Sequence, residues 1–480
     1  MTTATRIAEH WMRDATRIDP DTVRAYIAAA QSERAVYQLD PERARRYQEQ
    51  PALLAAHGDH FDLAILPALT SVVLPAGVTA RLRRIGPLLR AALTMCADLI
   101  PADETSRAFV SAGEKAESLG LSARLRDTAT IADWIRVDYV LRESTEGPQP
   151  VIVDINLMPG MTHTTAAVAA LHRRFLLPDN PQLRDEFAAL DHYDIAPVDQ
   201  MRECYATIVG ADTVHFVVRR GHGLEPDVTS AARSLTRRGR VRGVLTYADN
   251  LSALDTGSPV VVRQARTTTK HLDPRHSDQE RAAINDLLIR AGRGDLSCYP
   301  GPHMYMESHA WPYFIATAPY AQHLRHHLGE RDYATLTAAL APTGIITDGR
   351  IHWPSGTTEP ITADTLQRRV IKRGTSTGAE DVEVLAGSRG RRAYRQRAAT
   401  ALTNRTEPGW VVQHYIDSRK DTHLIADTSR TIRPVTGYLR YGAYYAAGTY
   451  LGGYALLSPQ SRMVHGGSAT HWLTLSGQPR

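Results

Sequence analysis

Residues 134–156 read WIRVDYVLRESTEGPQPVIVDIN, and the order of apolar and polar positions in that stretch decides the architecture. From Trp134 the period is two: Ile135, Val137, Tyr139 and Leu141 alternate with Arg136, Asp138, Val140 and Arg142. Successive strand residues point to opposite faces, so this is a strand with one apolar side. The turn Glu143 to Pro150 leads into a second strand, Val151 to Asn156. On strict alternation Val151, Val153 and Ile155 share one face while Ile152, Asp154 and Asn156 share the other, so Asp154 and Asn156 point into one space. Pro159 and Gly160 then turn the chain, and Thr162 or Thr164 is placed to cap a helix running through Ala170 to Phe175.

Upstream, the first 130 residues read as mainly helical packing surface, with Leu88, Leu89, Ala92, Leu93 and Cys96 at helical spacing after Pro87, a residue suited to a first turn. Downstream, Thr213 to Val218, Asp227 to Arg238 and Val241 to Tyr247 form a strand–helix–strand unit, followed by a helix from Ser277 to Gly292. From Arg369 the pattern is strand (Arg369 to Arg373), Gly/Ser/Thr loop, strand (Val382 to Leu385), helix (Arg391 to Thr403) and strand (Trp410 to Ile416). Ile432 to Leu475 alternates Tyr, Gly and aliphatic residues and reads as antiparallel sheet.

The 480 residues are 43% hydrophobic and 22% charged, which excludes a single small module. A net charge of +5 over this length is too small to indicate a nucleic-acid-coating protein by itself. Cys96, Cys204 and Cys298 lie too far apart for a CxxC metal site or a disulfide framework, so a reducing cytoplasm is the simplest home. Met1 to Asp19 carries charges at Arg6, Glu9, Arg13 and Asp14 and does not read as a secretory signal. The apolar stretch Phe61 to Val78 is broken by Asp62, Pro67 and Pro75, so no membrane association is expected. Lysine occurs only at Lys115, Lys270, Lys372 and Lys420, which makes each position a question.

Three constellations bear chemistry. Asp154 and Asn156 offer a carboxylate and an amide oxygen two residues apart, hard donors suited to magnesium held together with phosphate oxygens; a capped strand end is the bland alternative. Val370-Ile371-Lys372 is an apolar strand ending in lysine, followed by Gly374, Ser376, Thr377 and Gly378. Small residues there let backbone N–H groups approach phosphates, although a surface hairpin needs no ligand to explain it. The strand Trp410 to Ile416 turns polar at Gln413, His414 and Tyr415, where backbone groups can meet an adenine edge; a buried strand is its alternative.

Together these features resemble the ATP-grasp ligase superfamily, in which two α+β lobes hold ATP between antiparallel sheets. In the common arrangement the acidic-x-Asn motif follows the lysine, loop and adenine hinge; here Asp154-Ile155-Asn156 comes roughly 200 residues before Lys372. That order is similar to the circularly permuted members, among them eukaryotic-type glutathione synthetase. Arg136-Val137-Asp138-Tyr139 resembles that group's Arg-x-Asp-Tyr strand, and His465-Gly466-Gly467-Ser468-Ala469 its glycine-rich substrate loop. Asp154 to Thr162 also resembles the Glu-x-Asn-x-x-Pro-Gly-x-Thr ending of D-alanine ligases.

The resemblance implies an α+β and α/β chain with a permuted ATP-grasp core, an inserted α/β substrate domain and a helical N-terminal region. The implied boundaries are 1–130 for the helical region, 131–205 for core with the metal motif, 206–300 for the insert, and 301–480 for the lobe with lid, hinge and C-terminal sheet. It implies ATP and Mg2+, with Asp154, Asn156 and Glu380 at the metal and Lys372, Gly374, Ser376, Thr377, Gly378, Gln413, His414, Tyr415 and Ile416 at ATP. Lys372, Arg440 and Arg136 become catalytic candidates, and Arg136, Asp138, Tyr139, Gly160, Thr162, Gly466, Gly467 and Ser468 substrate contacts; for both arginines a structural ion pair is the competing reading.

Three departures stand out. Asp154 replaces the usual glutamate, and Ser376 stands where glutathione synthetase has an acidic lid residue, leaving Glu380 or Asp381 as substitutes. No lysine is found around Glu307-Ser308-His309, where the resemblance leads to one. The implied activity is an ADP-forming carboxylate–amine ligase that joins amino acids or short peptides through an acyl phosphate, in specialised peptide biosynthesis. The alternative is a non-catalytic ATP-grasp-like nucleotide-binding protein. Relatives are commonly dimers, so a homodimer stands as an open expectation.

Gly221-His222-Gly223 imitates a dinucleotide fingerprint but has Pro226 at the third glycine position. His323 and His327 have zinc-ligand spacing without the glutamate of HExxH and read as a solvated face. The Arg237-Arg238-Arg240-Arg242 run has no interleaved stacking aromatic, so no nucleic-acid partner is expected.

Overall fold

In the computed structural model the 134–156 hairpin forms one edge of a nine-stranded sheet. The structure describes residues 20–32, 37–38, 64–110, 134–157, 160–175, 213–218, 220, 225–237, 242–251, 254, 260–263, 278–293, 295–299, 308–374, 382–385, 392–403, 409–426, 432–459 and 471–477. The fold is mixed α/β with largely antiparallel sheets. In the large sheet the Trp134–Arg142 strand pairs with Gln149–Asn156 on one side and with the long Ile432–Ala446 strand on the other. Thr449–Ser458 and His471–Gly477 continue it.

Ile135, Val137, Tyr139 and Leu141 enter the main core as alternation requires, beneath the Ala76–Leu99 helix and the helices Trp311–Ala316, Tyr320–Leu328 and Glu330–Ala338. Alternation fails on the partner strand. Asp138 stands opposite Asp154, and Tyr139 opposite Ile152, so Val153 is an extra residue in a β-bulge. Ile152 and Ile155 therefore both reach the main core, while Val151 and Val153 pack with Val140 and Ala341 in a separate cluster. The expected grouping of Ile152 with Asp154 and Asn156 is corrected by that one inserted residue.

Two expectations for the N-terminal region also change. The helix does not start at Pro87; it spans Ala76–Leu99 with Pro87 inside it. At Gly86-Pro87 the Ala447–Gly448 turn comes so close that a Cβ on Gly86 would collide with the Gly448 carbonyl, so a side-chain-free residue is required there. Nor is the region only helical packing: Ala64–Pro67 and Val72–Leu74 add to the large sheet, both parallel to His471–Gly477. The stretch Ala76–Ala102 is long and apolar enough to cross a membrane by length and composition. In this fold its Leu82, Ile85, Leu89 and Leu93 line the main core.

A second, six-stranded antiparallel sheet holds the Arg369–Arg373 strand between Val382–Val384 and Trp410–His414, and continues through Thr343–Thr347 to Arg350–His352 and Thr358–Pro360. The Arg392–Thr403 helix supplies Ala399 and Leu402 to its core. A third sheet is wholly parallel, ordered Arg242–Tyr247, Thr213–Val218, Val260–Arg263, Ser297–Tyr299, with Leu287 of the Asp278–Arg293 helix in its core. His323, His326 and His327 are exposed on their helix, as a solvated face requires. Gly221, His222, Gly223, Arg238 and Arg240 lie outside the described residues.

Candidate functional site

The polar face of the large sheet carries a chain of charges. Arg136 reaches two residues along its own strand, placing Nε 2.9 Å and Nη2 3.3 Å from the Asp138 oxygens. From the neighbouring strand Arg440 brings Nη1 within 3.2 Å of Asp138 Oδ2. Asp138 is 2% exposed, so a buried carboxylate serves two guanidiniums. Between the two arginines, on the Arg440 strand, lies Gly442, where a Cβ would stand 2.5 Å from Tyr454 Cε1. The Tyr454 ring fills that space and faces the Arg136 guanidinium 5.8 Å from its centroid.

The bulge decides the next contact. Val153 has no residue opposite it on the neighbouring strand, and its carbonyl accepts a 2.6 Å hydrogen bond from Lys372 Nζ. Lys372 comes from the six-stranded sheet and is buried, so one side chain bridges two sheets beside Asp154. Burial lowers the Lys372 ammonium from its ordinary value; Asp154 and Asp138 oppose that shift and Arg440 adds to it.

Asp154 Oδ1 accepts from His309 Nδ1 at 2.6 Å and from the backbone N–H of Ile155 at 3.1 Å. Burial would raise this carboxyl, but the His309 ring and its hydrogen bond, then Lys372 and Arg136, hold it well below the usual carboxylate range. Asn156 Nδ2 donates to the Arg136 carbonyl at 3.4 Å, leaving its oxygen without a partner among the described residues. Asp154 Oδ2 and Asn156 Oδ1 are thus two hard oxygens beside a cationic cluster, a donor set that fits Mg2+ shared with phosphates. Among the described residues no group of three His, Cys, Asp or Glu side chains gathers around a point.

The other expected residues divide. Gln413 is buried and its amide donates to Thr343 Oγ1 at 3.0 Å, so its side chain is committed to the sheet. The His414 N–H is taken by the Pro342 carbonyl and the Tyr415 N–H by Arg368. Ile416 packs against the Val140, Val151 and Ala341 cluster, an apolar patch next to the Lys372 contact. Gly374 has a packing reason to be glycine: a Cβ would lie 2.7 Å from the Gly409 carbonyl and 3.1 Å from Phe109. Tyr139 is corrected outright, being fully buried and stacked on Tyr441 at 5.0 Å, because alternation turns it away from Arg136 and Asp138.

The Gly160 carbonyl accepts from the Tyr444 hydroxyl at 3.0 Å, and Thr162 opens the Thr162–Phe175 helix. The Thr164 side chain does not cap that helix; its hydroxyl donates to Asp227. Asp227, from the Glu225–Arg237 helix beside the parallel sheet, accepts from the N–H groups of Met161 and Thr164 and from the Thr164 hydroxyl, at 3.1, 2.8 and 2.9 Å. Ser376, Thr377, Gly378, Glu380, Gly466, Gly467 and Ser468 lie outside the described residues. The sequence does not mark His309 as a site residue; its one signal is its place in the Glu307-Ser308-His309 stretch, where the resemblance leads to a lysine.

No known protein-family profile matches the sequence, and no curated protein matches it. Among solved structures, a glutathione synthetase-like effector from Globodera pallida in its apo form is similar over 95% of this chain and 93% of its own, at 11% identity and a TM-score of 0.47. A protein provisionally named γ-glutamylcysteine synthetase, from Methylobacillus flagellatus KT, is similar over 82% of this chain and 88% of its own, at 12% identity and a TM-score of 0.36. Neither likeness bears on the site, whose chemistry follows from the contacts above.

Proposed function

We propose that the chain binds ATP between its six-stranded and nine-stranded sheets and uses it to join a carboxylate to an amine, as a ligase of the permuted ATP-grasp kind. The observation that carries this is the bridge of Lys372 to the Val153 carbonyl, which sets the lysine of the loop strand beside the Asp154-x-Asn156 pair. Lys372, Arg136 and Arg440 outnumber the carboxylates Asp138 and Asp154, so the space between the sheets favours a polyanion. The Val140, Val151, Val153 and Ile416 patch is an apolar floor for a base.

Mg2+ held by Asp154 and Asn156 would neutralise charge on the phosphate oxygens. Lys372 binds the transferring phosphoryl group, which moves from ATP to a substrate carboxylate oxygen and releases ADP. Arg440 steadies the acyl phosphate; an amine then attacks the acyl carbon, the carbon–oxygen bond to phosphate breaks, and the amine loses a proton. Arg136 is already paired with Asp138, so its remaining N–H groups orient the carboxylate substrate.

The test is incubation with Mg-ATP and pooled amino acids and dipeptides, following ADP, phosphate and new masses equal to condensation minus water. Lys372→Ala and Asp154→Ala should each abolish turnover; full turnover in both would remove the site assignment. A non-catalytic nucleotide binder is the second reading, motivated by Ser376 at the position where the permuted relatives carry an acidic lid residue. Tight ATP binding without turnover on any pool would select it.

A further inference from the structure

We propose that His309 is the positioning residue of the metal carboxylate: it reserves Oδ1 of Asp154, leaves Oδ2 as a single-oxygen ligand, and ties that choice to the start of the nucleotide loop at Gly374. This rests on the nucleotide-site reading above. Asp154 Oδ1 receives two N–H donors, His309 Nδ1 at 2.6 Å and Ile155 N at 3.1 Å, whereas Oδ2 has no partner among the described residues. The backbone N–H of His309 donates to the Gly374 carbonyl at 2.8 Å, two residues beyond Lys372. One residue therefore fastens the metal carboxylate with its ring and the loop with its main chain.

His309 is itself held in place. It precedes the Trp311–Ala316 helix, and the buried Ser308 hydroxyl accepts from Ala310 N at 3.1 Å. An imidazole on two torsions is a stiffer donor than a lysine would be. Mg2+ demands near-octahedral geometry and keeps positions for water and phosphate oxygens. A carboxylate free at both oxygens can rotate or chelate, taking two of those positions; one pinned through Oδ1 offers a single oxygen in a fixed direction.

The test uses the full chain, with Mn2+ as the metal probe read by electron paramagnetic resonance and β,γ-imido-ATP as the nucleotide. His309→Ala should weaken Mn2+ binding in the presence of the analogue by roughly 10- to 100-fold, the range for losing an outer-shell partner. Its affinity for the analogue in EDTA should stay near wild type. His309→Asn, which keeps an N–H donor at similar reach, should recover most of the Mn2+ affinity. If His309→Ala binds Mn2+ like wild type while Asp154→Ala does not, this proposal is overturned and the nucleotide site stands. Equal loss of Mn2+ and metal-free analogue binding overturns it in favour of a purely structural role. A folded wild type that binds no analogue overturns the nucleotide site and this proposal with it.

Discussion

Asp138→Asn isolates the energetics of the charge chain. The carboxylate is 2% exposed and accepts from Arg136 at 2.9 and 3.3 Å and from Arg440 at 3.2 Å. The amide keeps the volume and one acceptor but removes the negative charge, leaving Asp154 to offset two guanidiniums and the Lys372 ammonium. The guanidiniums stay buried with their counter-charge removed, and breaking a buried ion pair from one side costs about 3–5 kcal/mol. With a denaturant slope of about 3 kcal/mol per M, the urea midpoint should fall by about 1–1.7 M. Tryptophan fluorescence is the assay, since Trp134 lies on the same strand as Arg136 and Asp138. A second arm removes Arg440: Arg440→Met should cost at least about 1 kcal/mol less in the Asp138→Asn background than in wild type. A midpoint shift under about 0.3 M with additive variants would refute the claim that this carboxylate is the anchor of both arginines.

Two further outcomes follow from buried groups away from that chain. His423 is buried, with Nδ1 3.2 Å from the Thr70 hydroxyl; burial pushes it down from 6.5 to about 4, with Arg419 adding to and Asp421 opposing the shift. Between those values the unfolded chain holds the extra proton, so stability should fall as pH drops from 6.5 to 4, by up to ~3 kcal/mol. His423→Gln should flatten that slope in urea midpoints measured across the window; an unchanged slope would place the titration elsewhere. Asp227→Ala removes the carboxylate that caps the Thr162–Phe175 helix from another element and should cost about 2 kcal/mol. Amide exchange at Met161 and Thr164 should accelerate markedly, and protection equal to wild type would mean another group takes the cap.

Much of the secondary structure was legible in the sequence because alternation and helical spacing are local. The strands Thr213–Val218 and Arg369–Arg373 fall where period and composition put them, and the apolar set Ile135, Val137, Tyr139 and Leu141 enters the main core, although Trp134, Asp138 and Val140 of the same strand are buried as well. The motif likeness that puts Tyr139 at the substrate runs against the strand's own alternation, which turns that residue into the core. Local spacing starts a helix at Pro87, since a proline inside a helix is disfavoured unless packing compensates, and here the Ala447–Gly448 turn lies against that point.

The sequence by itself determined the hairpin, the polar face bearing Arg136 and Asp138, and the lysine strand ahead of a small-residue loop, because each follows from backbone periodicity within a few residues. Only the tertiary structure decided the bulge at Val153, the meeting of Lys372 with its carbonyl, and the partners His309 for Asp154, Arg440 for Asp138 and Asp227 for the Thr162 helix. A bulge is a property of how two strands register. A buried charge takes whichever partner the packed sheets bring within reach, and neither choice leaves a periodic trace along the chain.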